Sequence, residues 1–169
     1  VLNKDNPLCL SFGKNLDSPI VWFGKTGFVR PENIKITPTL TTKYILFVGK
    51  QSIEIELPTL GEQFVENSVA AAATAWACGA SLEEIKHGLT SFQPVEHRMR
   101  PLRLKSGVLV LDDTYNSNPS AARAALETLK QVAGLPAGRQ GKRKTVAVLG
   151  DMLELGKDEI ERHKELGHM

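Results

Sequence analysis

Hydrophobic and polar positions divide the chain into a β-patterned first third, a helical middle and a strand-and-helix alternation towards the end. At 52–57, Ile53, Ile55 and Leu57 alternate with Ser52, Glu54 and Glu56, which predicts a strand with one solvated face. Apolar runs at 20–23, 34–37 and 44–48 predict further short strands, and Gly49-Lys50 predicts a hairpin turn between the strands at 44–48 and 52–57. Residues 64–78, FVENSVAAAATAWAC, predict a helix whose small alanines allow close packing, closed by Gly79. Ser81 opens a second helix, with Glu84 completing a capping box. Leu82, Ile85, Leu89 and Phe92 fall on one face of it, and His87 on its surface.

Residues 93–101, QPVEHRMRP, carry two prolines and a cluster of charge and predict a linker. After it, the run at 108–111 is apolar on both faces, the pattern of a strand buried on both sides in a parallel sheet. It leads into DDTYNSNP at 112–119, where Asn118 is placed as N-cap and Pro119 in the first helical turn. Asp112, Asp113, Tyr115, Asn116 and Asn118 are therefore expected on an exposed strand-to-helix loop, where open α/β sheets bind ligands. A helix at 119–132 follows, with Ala122, Ala125, Leu126, Leu129 and Ala133 on its apolar face. A strand at 145–149 and a helix from about Lys157 complete a βαβ unit and a further helix, so the second domain reads as parallel α/β. Parallel strands would bring Gly150, Asp151, Met152 and Glu154 beside the first loop. Arg98 would then enter its strand from the opposite end, serving a hinge or partner site rather than the crevice floor.

Composition narrows the function classes. With 169 residues, 41% hydrophobic and 24% charged, the chain can bury a sizeable core in one domain or two small ones. A net charge of +2 gives no argument for nucleic acid. Arg139, Lys142, Arg143 and Lys144 in the loop 134–144 lack the aromatic neighbours that a nucleic-acid patch would use, and read as a solvated loop. Cys9 and Cys78 show no metal or redox spacing and read as reduced, buried thiols. No apolar run reaches membrane-spanning length.

Gly24-Lys25-Thr26 invites a phosphate-loop reading, but Pro19 stands where that motif needs its first glycine, and no helical pattern follows Thr26. The opening VLN, without an initiator Met, and the stop at Met169 within a helical pattern lead to the expectation of a piece of a longer protein.

Five stretches in this order, VLNKDNP at 1–7, LPTLGEQFVENSVAAAA at 57–73, SLEEIKHGLTSFQPVEHRM at 81–99, DDTYNSNP at 112–119 and VAVLGDMLELG at 146–156, resemble the Mur ligase family of peptidoglycan synthesis. The acidic-asparagine motif and GDMLELG at this separation are similar to the member that adds a D-alanyl-D-alanine dipeptide. The resemblance implies an α/β chain: the end of a central ATPase domain at 1–97 (β-rich segment plus helices), then part of a Rossmann-like parallel domain at 98–169. It implies ATP-dependent amide-bond formation, with ATP and Mg2+ as cofactors and metal ligands upstream of this segment. UDP-N-acetylmuramoyl-tripeptide and D-alanyl-D-alanine are the implied partners, in a cytoplasmic protein without nucleic acid or membrane insertion, its oligomeric state left open. By position, Asn67 resembles the asparagine contacting adenine, and Arg98 the linker arginine that reaches the ATP phosphates on closure and acts in catalysis. Asp113 resembles the aspartate at the ribose or hinge side, and Tyr115, Asn116 and Asn118 the loop facing the dipeptide. No metal ligand is carried over. Gln63-Phe64 departs from the family's usual His-Asn.

Three other readings are weighed. A sister ligase adding a different amino acid would carry histidines or a lysine after the aspartate. A dinucleotide-binding oxidoreductase needs a Gly-rich turn that DDTYNSNP lacks. A non-catalytic nucleotide-binding or interaction module is the third.

Overall fold

A computed structural model of the chain describes residues 1–135 and 144–169. Asn6 opens the first helix, α1 (Pro7–Gly13), its side chain accepting from the Leu8 and Cys9 backbone N–H groups. A five-stranded mixed sheet runs in chain order: β1 (Leu2–Asn3), β2 (Trp22–Phe23), β3 (Val29–Ile36), β4 (Thr42–Val48) and β5 (Gln51–Leu57). β1, β2 and β3 pair in parallel, whereas β3, β4 and β5 pair antiparallel. The expected hairpin forms at Gly49, which takes φ 59°.

Alternation on β4 buries Thr42, Tyr44, Leu46 and Val48 on one face. Ile55 and Leu57 of β5 join them, and the helices α2 (Glu62–Ala77) and α3 (Leu82–Thr90) cover that face through Val65, Val69, Ala72, Ala73 and Ile85. Each large aliphatic side chain so buried contributes roughly 1.5–3 kcal/mol. The Ser81–Glu84 capping box forms as expected, and Gly79 closes α2 at φ 94°.

Beyond 93–99 the chain forms β6 (Arg100–Arg103), β7 (Leu109–Asp112), α4 (Pro119–Gly134), a 3-10 turn at Gly156–Asp158 and α5 (Glu159–Gly167). A second core holds Leu40 and Leu60 from the first half and Met99 and Val132 from the second, with Phe64, Leu109 and Leu111 packed against it. The two halves thus share apolar contacts directly beneath the 97–99 linker.

Four expectations are corrected. The strand at 145–149 does not form: Val146, Val148 and Leu149 are exposed, because a strand needs neighbouring backbone and none pairs with it among the described residues. β7 is not buried on both faces, since its described partner is β6 alone and Val110 stays exposed. That pairing is antiparallel, with Arg100 opposite Asp112, so Arg98 emerges at the carboxyl end of β7 and not at the far end. Cys78 is exposed and Cys9 only partly buried, because Cys78 caps the end of α2 where the chain turns into solvent. The sequence pattern also gave no sign of α1 or β6. Of the basic loop, Lys144 is exposed, and Arg139, Lys142 and Arg143 lie outside the described residues.

Candidate functional site

The linker and the loop after β7 are clasped together by four polar contacts. The Met99 N–H donates to Asp113 Oδ1 at 2.9 Å, and the Tyr115 N–H donates to the His97 carbonyl at 3.1 Å. His97 Nδ1 lies 2.8 Å from Asp112 Oδ2. Thr114 Oγ1 donates to Asp112 Oδ1 at 2.8 Å and lies 3.3 Å from His97 Nδ1. His97 and Met99 take φ 60° and 51°, left-handed values that non-glycine residues adopt at a cost. Met99 is held there by burial as well, being only 1% exposed.

Between these two anchors sits Arg98. Its guanidinium carbon lies 4.0 Å over the Tyr115 ring centroid, a cation–π geometry that holds the charge while leaving its donors free for a ligand.

The neighbouring aspartates are tuned in opposite senses. The Thr114 hydroxyl first, and then His97, hold the Asp112 carboxyl below the usual value of 3.8 against partial desolvation. Burial pushes the Asp113 carboxyl up, only partly offset by the Met99 N–H and the Arg98 charge.

A cleft of about 370 Å³ opens beside this clasp, the size of a small-ligand site. One wall comes from the start of α2, with Gln63, Phe64 and Asn67; Thr59 lies just before that helix. Phe92, Pro94 and Val95 form a second, apolar wall, and Arg98, Asp113, Asn116 and Ala121 a third. Four of the residues picked out in the sequence, Asn67, Arg98, Asp113 and Asn116, thus line one opening although they come from three parts of the chain.

The other two lie differently. Tyr115 is 64% exposed and acts as the platform under Arg98. Asn118 is the N-cap of α4, its Oδ1 accepting from the Ala121 N–H at 2.9 Å and from the Ser120 hydroxyl at 2.7 Å. The sequence reading missed Thr59 and Pro94 as cleft residues and gave Phe92 to a helix core; Phe92 falls past the end of α3. Gln63 and Phe64 drew notice only as a departure from the family pattern. Asp151 and Glu154 are exposed, and the loop carrying them is tied to α5 by the Met152 N–H donating to His163 Nε2 at 3.0 Å.

Comparison with known proteins bears on this arrangement. The sequence pattern described as "Mur ligase, glutamate ligase domain" matches residues 97–169. A UDP-N-acetylmuramoyl-tripeptide--D-alanyl-D-alanine ligase of Mycobacterium tuberculosis is 35% identical over 172 aligned residues, covering 100% of this chain and 33% of its own length. A crystal structure of MurF from Acinetobacter baumannii superposes with TM-score 0.83 at 32% identity, covering 98% of this chain and 34% of that one. The chain belongs to the Mur ligase family. A second Mur ligase structure, MurF from Thermotoga maritima in complex with ADP, matches with TM-score 0.73 and 27% identity, over 88% of this chain and 32% of that one. The mixed α/β fold is that of these Mur ligases, and the chain spans about a third of the length of the relatives it matches.

Proposed function

We propose that the chain is the nucleotide-closing part of an ATP-dependent ligase that joins D-alanyl-D-alanine to UDP-N-acetylmuramoyl-tripeptide in peptidoglycan synthesis. The observation that carries this reading is the cleft in which Asn67, Arg98, Asp113 and Asn116 meet. The ligase name of the relative and the ADP named with the Thermotoga structure support it. Residues 1–97 are the end of the ATP-binding domain in this reading and 98–169 the start of the C-terminal domain; the family match from residue 97 supports that division.

ATP supplies the phosphoryl group that turns the tripeptide carboxylate into an acyl phosphate. The dipeptide amine then forms the amide as inorganic phosphate leaves. Asn67 holds the adenine side, Asp113 the ribose or linker side, and Arg98 faces the phosphates. An arginine keeps its charge at any working pH, so it stabilises the charge that builds on the phosphoryl oxygens. Tyr115, Asn116 and Asn118 form the loop offered to the dipeptide. The clasp sets Arg98 on the linker, so its charge arrives together with the second domain, which limits loss of the activated group to water.

Among the described residues no three His, Cys, Asp or Glu side chains gather in a way that could hold a metal ion; in this reading the residues that hold the Mg2+ implied by the family belong to the part upstream of this segment. No described helix is long and apolar enough to cross a membrane. A cytoplasmic location belongs to the same reading, because ATP is supplied there.

The test is phosphate release by the full-length protein carrying this segment. Release should require ATP, the tripeptide nucleotide and D-alanyl-D-alanine together. Arg98→Ala should lower kcat about a hundredfold or more with the melting temperature unchanged. Phosphate release indifferent to the dipeptide, or an Arg98→Ala variant of full rate, would sink the reading.

A further inference from the structure

Thr59 is 2% exposed, yet its Oγ1 has no hydrogen-bond partner among the described residues. Buried hydroxyls are nearly always satisfied, and an orphan loses its water contacts without replacement. This orphan belongs to a residue that lines the cleft.

Its surroundings hold it in place. The Thr59 carbonyl accepts from Thr42 Oγ1 at 2.8 Å, and Thr42 Oγ1 also accepts the Gly61 N–H at 3.3 Å. Thr42, 0% exposed, therefore pins the turn into α2 from beneath. Gly61 takes φ 106°, and a side chain there would collide with the Gln63 carboxamide folded over it. Gln63 and Asn67 stand one helical turn apart on the same wall, with the Phe64 and Phe92 rings beside them. Amides and a hydroxyl among aromatic rings suit a flat heterocycle with a polar edge, while the cation at Arg98 suits its anionic tail.

We propose that the Thr59 hydroxyl hydrogen-bonds the nucleoside of the bound nucleotide, supplying on this wall a contact from outside the Asn67 position. This rests on the nucleotide reading above and adds one residue to it. The free hydroxyl is a preformed partner: the protein bears its desolvation before binding, and the ligand relieves it.

The experiment uses the full-length protein with Thr59→Val, which keeps the shape and removes the hydroxyl, and Thr59→Ser, which keeps the hydroxyl. Thr59→Val should raise the KM for ATP, and the ATP Kd from equilibrium dialysis, roughly five- to tenfold, the loss of one hydrogen bond. The KM for D-alanyl-D-alanine should stay within about twofold and the melting temperature should hold or rise, because an unsatisfied buried group has been removed. Thr59→Ser should restore ATP affinity. Unchanged ATP affinity in Thr59→Val beside an active wild type overturns the Thr59 contact alone. An equal rise in both KM values, or a lowered melting temperature, overturns it too, by making Thr59 structural. A wild type that neither turns over nor binds ATP overturns the contact and the nucleotide reading together.

Discussion

Asp113 Oδ1 accepts the backbone N–H of Met99 at 2.9 Å, so the carboxyl end of β7 grips the residue directly after Arg98. The same carboxyl is pushed up by burial, whereas its neighbour Asp112 is held low by the Thr114 hydroxyl and then His97. The two should therefore bend the stability curve in opposite directions. The Asp113 contribution is present in full below the ordinary value of 3.8 and is lost as pH rises through its raised folded value. That of Asp112 is present above 3.8 and is lost as pH falls through its lowered folded value. Asp113→Asn, which keeps the acceptor for Met99, should gain on the wild type as pH rises through the first window, and Asp112→Asn should fall behind as pH rises through the second. Urea midpoints measured across acid pH check both, and parallel curves for all three proteins would contradict the assignment.

Tyr115 supports the Arg98 guanidinium at 4.0 Å. An exposed cation–π contact is worth about 0.5–1 kcal/mol. In the full-length protein Tyr115→Ala should lower kcat roughly two- to fivefold through a loosened Arg98, and Tyr115→Phe should keep the rate. A Phe variant as slow as the Ala variant would mean that the hydroxyl, not the ring face, matters.

Asn116 lines the cleft, whereas Asn118 caps α4. Asn116→Ala should raise the KM for D-alanyl-D-alanine more than that for ATP; equal rises would move Asn116 to the nucleotide side of the shared opening. Asn118→Ala should cost about 1 kcal/mol of stability by thermal melting. Asn118→Ser, a capping replacement, should recover it. If Asn118→Ser is stable yet still raises the dipeptide KM, the Asn118 amide meets substrate as well as capping the helix.

Tyr44 is 1% exposed, its hydroxyl 2.7 Å from Ser68 Oγ, and burial raises its pKa to about 12. Stability from this group is present in full below the ordinary value of 10.0 and is lost as pH rises through about 12. Tyr44→Phe should cost about 1 kcal/mol at neutral pH and should flatten the loss on the alkaline side. Melting curves in that range would reveal no flattening if the hydroxyl were solvated.

The parts of this chain legible in its sequence were those fixed by near neighbours. Ile53, Ile55 and Leu57 announced β5 by alternation, Ser81 and Glu84 announced a helix start, and Asn118-Pro119 placed the cap of α4. What escaped depends on distant pairing. Whether Val108–Leu111 read as a two-face buried strand turned on which strand lay beside it, and the RPLR run that supplies β6 has no periodicity of its own. Once that strand runs antiparallel to β7, Arg98 changes ends and joins Asp113, which no local pattern could say. At the cleft, residue types carrying charge or amide groups were found, while Thr59 was not, because an unpartnered hydroxyl looks like any other threonine until its surroundings are known.

His97 and Met99 flank Arg98 in a backbone basin that β-carbon sterics disfavour, and the main chain of each is hydrogen-bonded to the loop after β7, the His97 carbonyl to Tyr115 and the Met99 N–H to Asp113. Neither can drift back to ordinary torsions without turning its own peptide away from Tyr115 or Asp113. Loosening at either peptide would undo the grip on the arginine from that side. Glycine at 97, at ease with positive φ, would loosen the joint twice over, through its backbone freedom and through the lost His97–Asp112 contact, while leaving the side chains that line the cleft in place.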